Sequence, residues 1–214
     1  PEIAVATTKA YSTQMAVLNL LGLYFSQVMG TLDHAVYSAM VRGIEKLPEQ
    51  MERILEQAEH IHDIAKRCAD REDVFFIGRN LDYAASMEGS LKLKEISYIH
   101  SEAYPAGELK HGTISLIEDN ILVISILTQS ELYEKMISNM VEVKCRGAYL
   151  MGITSAGNYK IEDTVDFALY VPKTDDHFMP SLAVIPLQLL GYYVSVSKGL
   201  DVDKPRNLAK SCLL

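Results

Sequence analysis

The sequence predicts an α/β fold, a three-layer sandwich with a parallel sheet between helices, preceded by a helical extension. Short runs of almost exclusively apolar residues alternate with longer segments of helical periodicity, as expected for parallel strands that are buried on both faces. The chain has 214 residues, of which 49% are hydrophobic, enough for one large domain with a sizeable core. The first apolar helix has no strand before it, which makes it an extension.

Two helical segments open the chain. Residues 8–29 are apolar at helical spacing and stop at Gly30, which predicts a long, mostly buried helix with a glycine cap. Residues 48–71 repeat apolar side chains along one face and predict a helix with one solvent-exposed face. Residues 1–45 are therefore interpreted as a helical remnant of an upstream domain, and the chain start looks cut from something longer.

Strands and helices then alternate through residues 46–199, the predicted main domain. Strands are predicted at 74–78, 121–127, 148–154 and 167–171, and helices at 83–98, 130–146 and 182–198. The last helix contains Pro186 and Gln188 and its apolar run falls short of the roughly 20 residues of a membrane span, so it predicts a buried helix closed by Gly199. Residues 200–214 form a C-terminal tail without periodicity.

Composition excludes several classes of protein. The formal charge of −8 leaves no basic field for nucleic acid, and neither a membrane span nor a signal peptide is apparent. Cys68, Cys145 and Cys212 are too widely spaced for a disulfide framework or a zinc site, which indicates a reducing cytoplasm. Residues two apart in a helix face away from each other, so His60 and His62 do not share a metal, and no metal site is predicted.

The predicted helix 83–98 carries a stripe of charge. At about 100° per residue, Glu88, Lys92 and Glu95 lie within roughly 60° of one another. Apolar residues flank the stripe, whereas Ser86 and Ser90 lie on the opposite face. Two interpretations are open: surface ion pairs worth tenths of a kcal/mol, or charges drawn towards the core and retained for a function. The flanking residues favour the second, with Glu95 as a proton-abstracting base and Lys92 setting its pKa.

A polar cluster follows this helix. Glu108, Lys110 and His111 lie between Gly107 and Gly112, which predicts a mobile loop that presents reactive side chains. A single loop histidine is more often a surface hydrogen-bonding residue. Near the charged stripe, His111 becomes a candidate proton donor.

Three segments carry a resemblance to a known family. EGSLKLKEISYIHSEAYPAGELKHG, PEIAVATTKAYSTQ and DVDKPRNLAKS occur in the family's order and resemble the isomerase half of glutamine-fructose-6-phosphate aminotransferase. The resemblance implies a sugar isomerase (SIS) domain with a flavodoxin-like parallel sheet, and an upstream SIS domain of which residues 1–45 are the remnant. It implies a sugar phosphate substrate, a homodimer and no organic cofactor.

The resemblance also assigns roles to residues. Glu95 moves a proton between C1 and C2 of the sugar, and Lys92 assists it. His111 matches a histidine that helps to open the furanose ring from the neighbouring subunit, and Lys210 matches the lysine that forms a Schiff base with the ketose. The positions that line the sugar pocket are Val5, Thr7 and Ala209.

Two further alternatives stay open. Thr128 and Ser130, which open the predicted helix 130–146, either bind a phosphate through backbone N–H groups or simply cap the helix, and the absence of glycine in their loop favours the cap. The whole chain is either the isomerase part of this enzyme, a SIS module that senses phosphosugars without converting them, or, when isolated, an inactive fragment.

Overall fold

The structure is a computed structural model that describes residues 3–208, so Ala209, Lys210 and Cys212 lie outside the described part of the chain. Its elements, in chain order, are α1 Lys9–Met29, α2 His34–Leu55, α3 Ala58–Cys68, β1 Asp73–Gly78, α4 Leu81–Ser97, β2 His100–Pro105, β3 Leu122–Leu127, α5 Tyr133–Lys144, β4 Tyr149–Ser155, β5 Phe167–Val171 and α6 Met179–Ser197.

The five strands form one parallel sheet in the order β2-β1-β3-β4-β5. Helices α3, α4 and α6 share a hydrophobic core with one face, and α5 packs on the other. Along β1, Val74 and Phe76 enter the first core, whereas Phe75 and Ile77 enter the second. The three-layer parallel α/β prediction and its helical extension are confirmed.

The predicted helix that begins at Pro48 is wrong. Two helices are present instead, because α2 begins after Asp33, whose carboxylate accepts hydrogen bonds from the N–H groups of Ala35 and Val36. Helix α2 runs through Pro48, which lies on its exposed side, and ends before α3. The position between residues 45 and 46, where the sequence places the domain boundary, therefore falls inside a continuous helix.

Helix α1 has the predicted bounds but not the predicted burial. Gly30 caps it in the left-handed conformation with φ of 63°, as expected. Of its described side chains only Leu23 is buried, because its principal helical neighbour is α2. The helix therefore exposes a broad apolar surface, which consists of Val17, Leu18, Leu20, Leu21, Tyr24, Phe25, Val28 and Met29.

The segment after α4 is more ordered than the sequence predicts. Strand β2 was not predicted, because its sequence HSEAYP is largely polar. Among residues 3–208 it is an edge strand whose one partner is β1. The predicted mobile loop is wrong as well. Residues Ala106–His111 form a 3-10 helix whose Ala106 and Leu109 are fully buried.

Helix α6 is long and apolar enough, by length and composition alone, to cross a membrane. It packs against α3 and α4, and 72% of its most apolar window is buried inside the protein. The prediction of a buried helix is confirmed, and Gly199 follows it with φ of 69°.

Candidate active site

Helix α4 carries the predicted stripe and descends along one face of the sheet. It starts three residues after β1, at the carboxyl end of the strands, and ends beside the start of β2. A close turn makes this path possible: a Cβ added to Gly78 would lie 2.5 Å from the carbonyl carbon and oxygen of Asp82. The helix therefore runs antiparallel to β1 and holds Glu95 near the amino ends of the strands.

The stripe is a buried network of charge. The Lys92 side chain is only 3% exposed, and its Nζ lies 2.5 Å from an Oε of Glu95 and 3.6 Å from an Oε of Glu88. The Glu88 and Glu95 side chains are 14% and 22% exposed. The Lys92 ammonium thus forms ion pairs with two carboxylates in a place shielded from bulk water. A buried charge of this kind is normally found only where oppositely charged groups contact it.

The environment of Glu88 perturbs its ionisation. Burial raises the pKa of Glu88; the Lys92 ammonium opposes the rise, and the Glu95 carboxylate adds to it. Tyr11, at the start of α1, shares this environment, since burial and then the charge of Glu88 raise the pKa of its phenol. The sequence analysis did not assign Tyr11 to the site, although this tyrosine belongs to the N-terminal segment PEIAVATTKAYSTQ that carries part of the family resemblance.

The faces of α4 differ from the helical-wheel prediction. The serine face is buried, with Ser86, Ser90 and Ser97 at most 2% exposed, whereas Met87 is 46% exposed. Small side chains let α4 approach the sheet and α6, and the hydroxyls of Ser86 and Ser97 donate to carbonyls of their own helix. The charges therefore lie at one edge of the packed face.

A cavity of about 200 Å³ opens beside Lys92. Four segments of the chain line it: the N-terminal segment, helix α4, helix α6 and the tail. The lining residues are Ala4, Ala6, Thr8, Lys92, Ile96, Gln188, Tyr192, Val202 and Asp203. It is large enough for part of a sugar and places a cation on its wall.

The N-terminal segment and the tail are tied together at this cavity. The Val5 N–H donates to the Asp203 carbonyl at 3.2 Å. Val5 is half-buried and Thr7 exposed; neither lines the cavity itself, whereas their neighbours Ala4, Ala6 and Thr8 do. Ala209 and Lys210 fall outside the described residues, four or fewer positions after Arg206.

His111 does not meet the stripe within one chain. Leu109 lies in the core on the α5 side of the sheet, and Lys110 pairs with Glu142 of α5 at 2.8 Å. The stripe lies on the opposite face, where Leu93 of α4 enters the other core. The His111 side chain is 76% exposed, with Glu108 at 3.8 Å.

No hydroxyl of the loop after β3 caps α5, and the donors of Thr128, Gln129 and Ser130 already have acceptors within the chain. The N–H groups of Thr128 and Gln129 donate to the Asp82 carboxylate at 2.7 and 3.2 Å, and Ser130 donates through both N–H and hydroxyl to Asp176. Burial raises the pKa of Asp82, and the hydrogen bonds from Thr128 and Gln129 oppose the rise. The carboxylates of Asp82 and Asp176 thus accept the hydrogen bonds that this loop donates. The predicted side-chain cap is wrong, since no hydroxyl caps α5.

Within residues 3–208, no group of three or more His, Cys, Asp or Glu side chains is arranged to hold a metal ion. The chemistry offered by the described site is that of carboxylates and an ammonium beside a cavity.

Comparison with known proteins identifies relatives of this chain. It is 53% identical over 211 residues to "Glutamine--fructose-6-phosphate aminotransferase [isomerizing]" of Caldanaerobacter subterraneus subsp. tengcongensis, covering 99% of this chain and 35% of that protein. The protein of the same name from Methanosarcina mazei is 44% identical. The chain thus spans about a third of the length of these relatives.

Solved structures agree. The C-terminal domain of glucosamine-fructose-6-phosphate aminotransferase from Francisella tularensis superposes with a TM-score of 0.88 at 35% identity, covering 94% of this chain and 56% of that one. A glucosamine-6-phosphate deaminase from Thermotoga maritima shares the fold, with a TM-score of 0.66 at 24% identity. The SIS domain family model matches residues 68–198, more than half of the chain, and this protein therefore belongs to the SIS domain family.

Proposed function

We propose that this chain is the isomerase part of an enzyme that makes glucosamine 6-phosphate from fructose 6-phosphate and ammonia derived from glutamine. The observation that carries the proposal is the buried Lys92, held between two carboxylates on the wall of a cavity closed by the N-terminal segment and the tail. The named activity of relatives 53% and 44% identical supports it.

The chemistry begins at the sugar carbonyl. His111 assists opening of the furanose ring, and the Lys210 amine condenses with the C2 carbonyl, releasing water and forming an imine. Ammonia displaces the lysine amine and gives fructosimine. An imine acidifies the adjacent C1–H bond, so Glu95 removes that proton and returns it to C2, which yields the aldose glucosamine 6-phosphate.

Lys92 supports this proton transfer. Its ammonium lies 2.5 Å from the Glu95 carboxylate, and this ion pair holds the proposed proton acceptor in place. Val5, Thr7 and Ala209 are assigned to the sugar pocket, Val5 and Thr7 as direct neighbours of residues that line the cavity, and no organic cofactor takes part. The proposed setting is a cytoplasmic homodimer.

The alternative hypothesis, a SIS module that senses phosphosugars without converting them, required the loop after β3 to bind the phosphate group. Because Asp82 and Asp176 already accept the donors of that loop, it offers little to a phosphate. A sensor would also have no need of a base beside a buried ammonium. The enzyme hypothesis is therefore the one proposed, and its test separates the two.

The test uses a chimera in which this chain replaces the matching third of the Caldanaerobacter enzyme. We expect the chimera to convert fructose 6-phosphate to glucose 6-phosphate, and Glu95→Gln to lower the rate by about 10²–10⁴-fold, the range of general acid–base contributions. Binding of glucosamine 6-phosphate, measured by calorimetry, should survive.

Glu49→Gln, at an exposed carboxylate of α2, is the matched control and should leave turnover unchanged. Unchanged turnover in Glu95→Gln would remove Glu95 from the mechanism. Binding of the sugar phosphate by a chimera that shows no turnover would favour the sensing module instead.

A further inference from the structure

Tyr98 occupies an unusual position immediately after α4. It adopts the left-handed conformation, with φ of 61°, at the position where helices usually end in glycine. A bulky residue in this region of φ and ψ is uncommon and points to a use for its side chain. Tyr98 follows Glu95 by three residues, about 4.5 Å along the helix axis.

The side chain of Tyr98 holds the tail at two points. Its hydroxyl accepts a hydrogen bond of 2.8 Å from the backbone N–H of Arg206. The guanidinium carbon of the same Arg206 lies 4.1 Å from the centre of the Tyr98 ring, a cation–π contact. One tyrosine thus fixes both the backbone and the side chain of one tail residue.

The tail before Arg206 is shaped to meet this contact. The Asp201 carboxylate accepts hydrogen bonds from the N–H groups of Asp203 and Lys204, which forms a tight turn, and Pro205 is buried. The Asp203 carbonyl accepts from Val5, and Asp203 lines the cavity beside Lys92. The wall of the cavity and the Tyr98 contact therefore belong to one short, well-anchored stretch.

We propose that Tyr98 and Arg206 form a clamp that positions the tail over the Lys92 cavity, and that the reaction of Lys210 depends on this clamp. This inference rests on the proposed function, in which Lys210 forms the imine. Lys210 follows Arg206 by only four residues in the sequence. Tyr98 and Arg206 are positioning residues, since they act through the lysine and the cavity wall.

The first arm of the test measures the clamp itself in the 214-residue chain. Trypsin cleaves after Arg206, and the clamp should protect that bond. We expect Tyr98→Leu to speed cleavage after Arg206 by about tenfold relative to cleavage after Lys198, which lies outside the clamp; equal cleavage ratios in variant and parent would overturn the clamp.

The second arm measures the position of the lysine. The chain is incubated with fructose 6-phosphate, the imine is reduced with borohydride, and the adduct on Lys210 is quantified by peptide mass spectrometry. We expect Tyr98→Leu and Arg206→Ala each to lower the limiting trapping rate by about tenfold, while the half-saturating sugar concentration changes less than about threefold.

Coupling and rescue distinguish positioning from general destabilisation. The double variant should be no slower than Tyr98→Leu, because Tyr98→Leu already removes both contacts, whereas Arg206→Ala removes only the cation–π contact. Arg206→Lys keeps the backbone hydrogen bond and the charge and should recover part of the rate. Arg71→Ala removes a comparable stacked arginine, 5.0 Å from the Tyr149 ring, and should leave trapping unchanged.

The outcomes separate the two proposals. Trapping in the parent chain that is equally fast in Tyr98→Leu would overturn the positioning role and leave the proposed function intact. No adduct on Lys210 in either the parent chain or the chimera would overturn the proposed function and, with it, the role of the clamp.

Discussion

Lys92 is the residue on which the local electrostatics depend. A lysine that is 3% exposed has lost nearly all of its hydration, and this cost is offset only by the carboxylates that contact it. Two carboxylates around one ammonium leave a net negative charge in a half-buried place. Burial is the largest cause of the raised pKa of Glu88, and the Glu95 carboxylate adds to the rise, which the single Lys92 ammonium opposes without reversing it.

The first prediction at this scale concerns the pH dependence of stability. The pKa of Glu88 is higher in the folded chain than its ordinary value of 4.5, so folding favours its protonated form. The associated stability is present below about pH 4.5 and is lost as pH rises through the folded pKa. Glu88→Gln has no carboxyl group to ionise at this position, so it does not lose this stability. The difference between its thermal unfolding midpoint and that of the parent chain should therefore shift in favour of the variant as pH rises from 4 to 8.

Glu52→Gln, at an exposed position of α2, controls for the loss of one carboxylate far from Lys92. Its midpoint should follow that of the parent chain across the same range. The raised pKa of Glu88 would be contradicted if the midpoint of Glu88→Gln relative to the parent stayed constant, or fell, as pH rises.

Among the elements, α4 shows how backbone fit decides where the charges lie. The helix approaches its neighbours closely: a Cβ on Gly89 would lie 2.9 Å from Leu187 of α6 and 3.0 Å from Phe76 of β1. Gly78 permits the turn from β1 into α4. Packing through small residues turns the charged stripe towards the edge of the layer, beside the N-terminal segment and the tail.

A substitution of Gly78 tests whether the fold depends on the close turn between β1 and α4. The Cβ of Gly78→Ala would meet backbone atoms of Asp82 and Tyr83 at 2.5–2.7 Å, and backbone does not move aside as a flexible side chain does. We expect the free energy of unfolding, measured in urea, to fall by about 1–3 kcal/mol or more.

Gly22→Ala is the matched control, since nothing lies within 4 Å of a Cβ at that position in α1. Alanine in a helix interior should stabilise the chain by about 0.5–1 kcal/mol. A Gly78→Ala chain as stable as the parent would show that the close turn between β1 and α4 does not constrain the fold.

Sequence patterns predicted elements well where hydrophobicity alone decides them. The apolar strands β3, β4 and β5 lie within one residue of their predicted bounds, because strands buried on both faces are continuous apolar runs. Strand β2 escaped prediction because an edge strand tolerates His100 and Glu102. The serine face of α4 escaped because its burial depends on close helix packing, which residue polarity does not reveal.

The candidate site was predictable only in part for a similar reason. The spacing of Glu88, Lys92 and Glu95 is local, so a helical wheel identifies it. The cavity beside Lys92 joins segments almost 200 residues apart in sequence, such as Ala4 and Val202. No periodicity within either segment predicts that meeting; only the resemblance of both ends to one family pointed to it.

Over the whole molecule, the sheet separates two groups to which one reaction is assigned. Glu95 belongs to α4, which packs on one face of the sheet, and His111 is the last residue of a 3-10 helix that packs on the other face, beside α5. If both act on one sugar, they come from two chains. A two-fold homodimer satisfies this, since each stripe then faces the histidine of its partner.

Subunit complementation provides the test at this scale. In the Caldanaerobacter chimera, Glu95→Gln and His111→Ala should each abolish turnover. In a mixed dimer, one site carries both defects and the other carries neither. Random mixing of equal amounts should therefore restore about a quarter of the parent's isomerisation rate, which a coupled glucose 6-phosphate assay measures.

The matched control mixes Glu95→Gln with Lys92→Met. Both changes affect the same stripe, so every site in a mixed dimer keeps one damaged stripe and no activity should return. If the Glu95→Gln and His111→Ala mixture stays as inactive as this control, His111 does not act across the dimer. Because the sheet separates it from Glu95 within one chain, its assignment to ring opening would then fail as well.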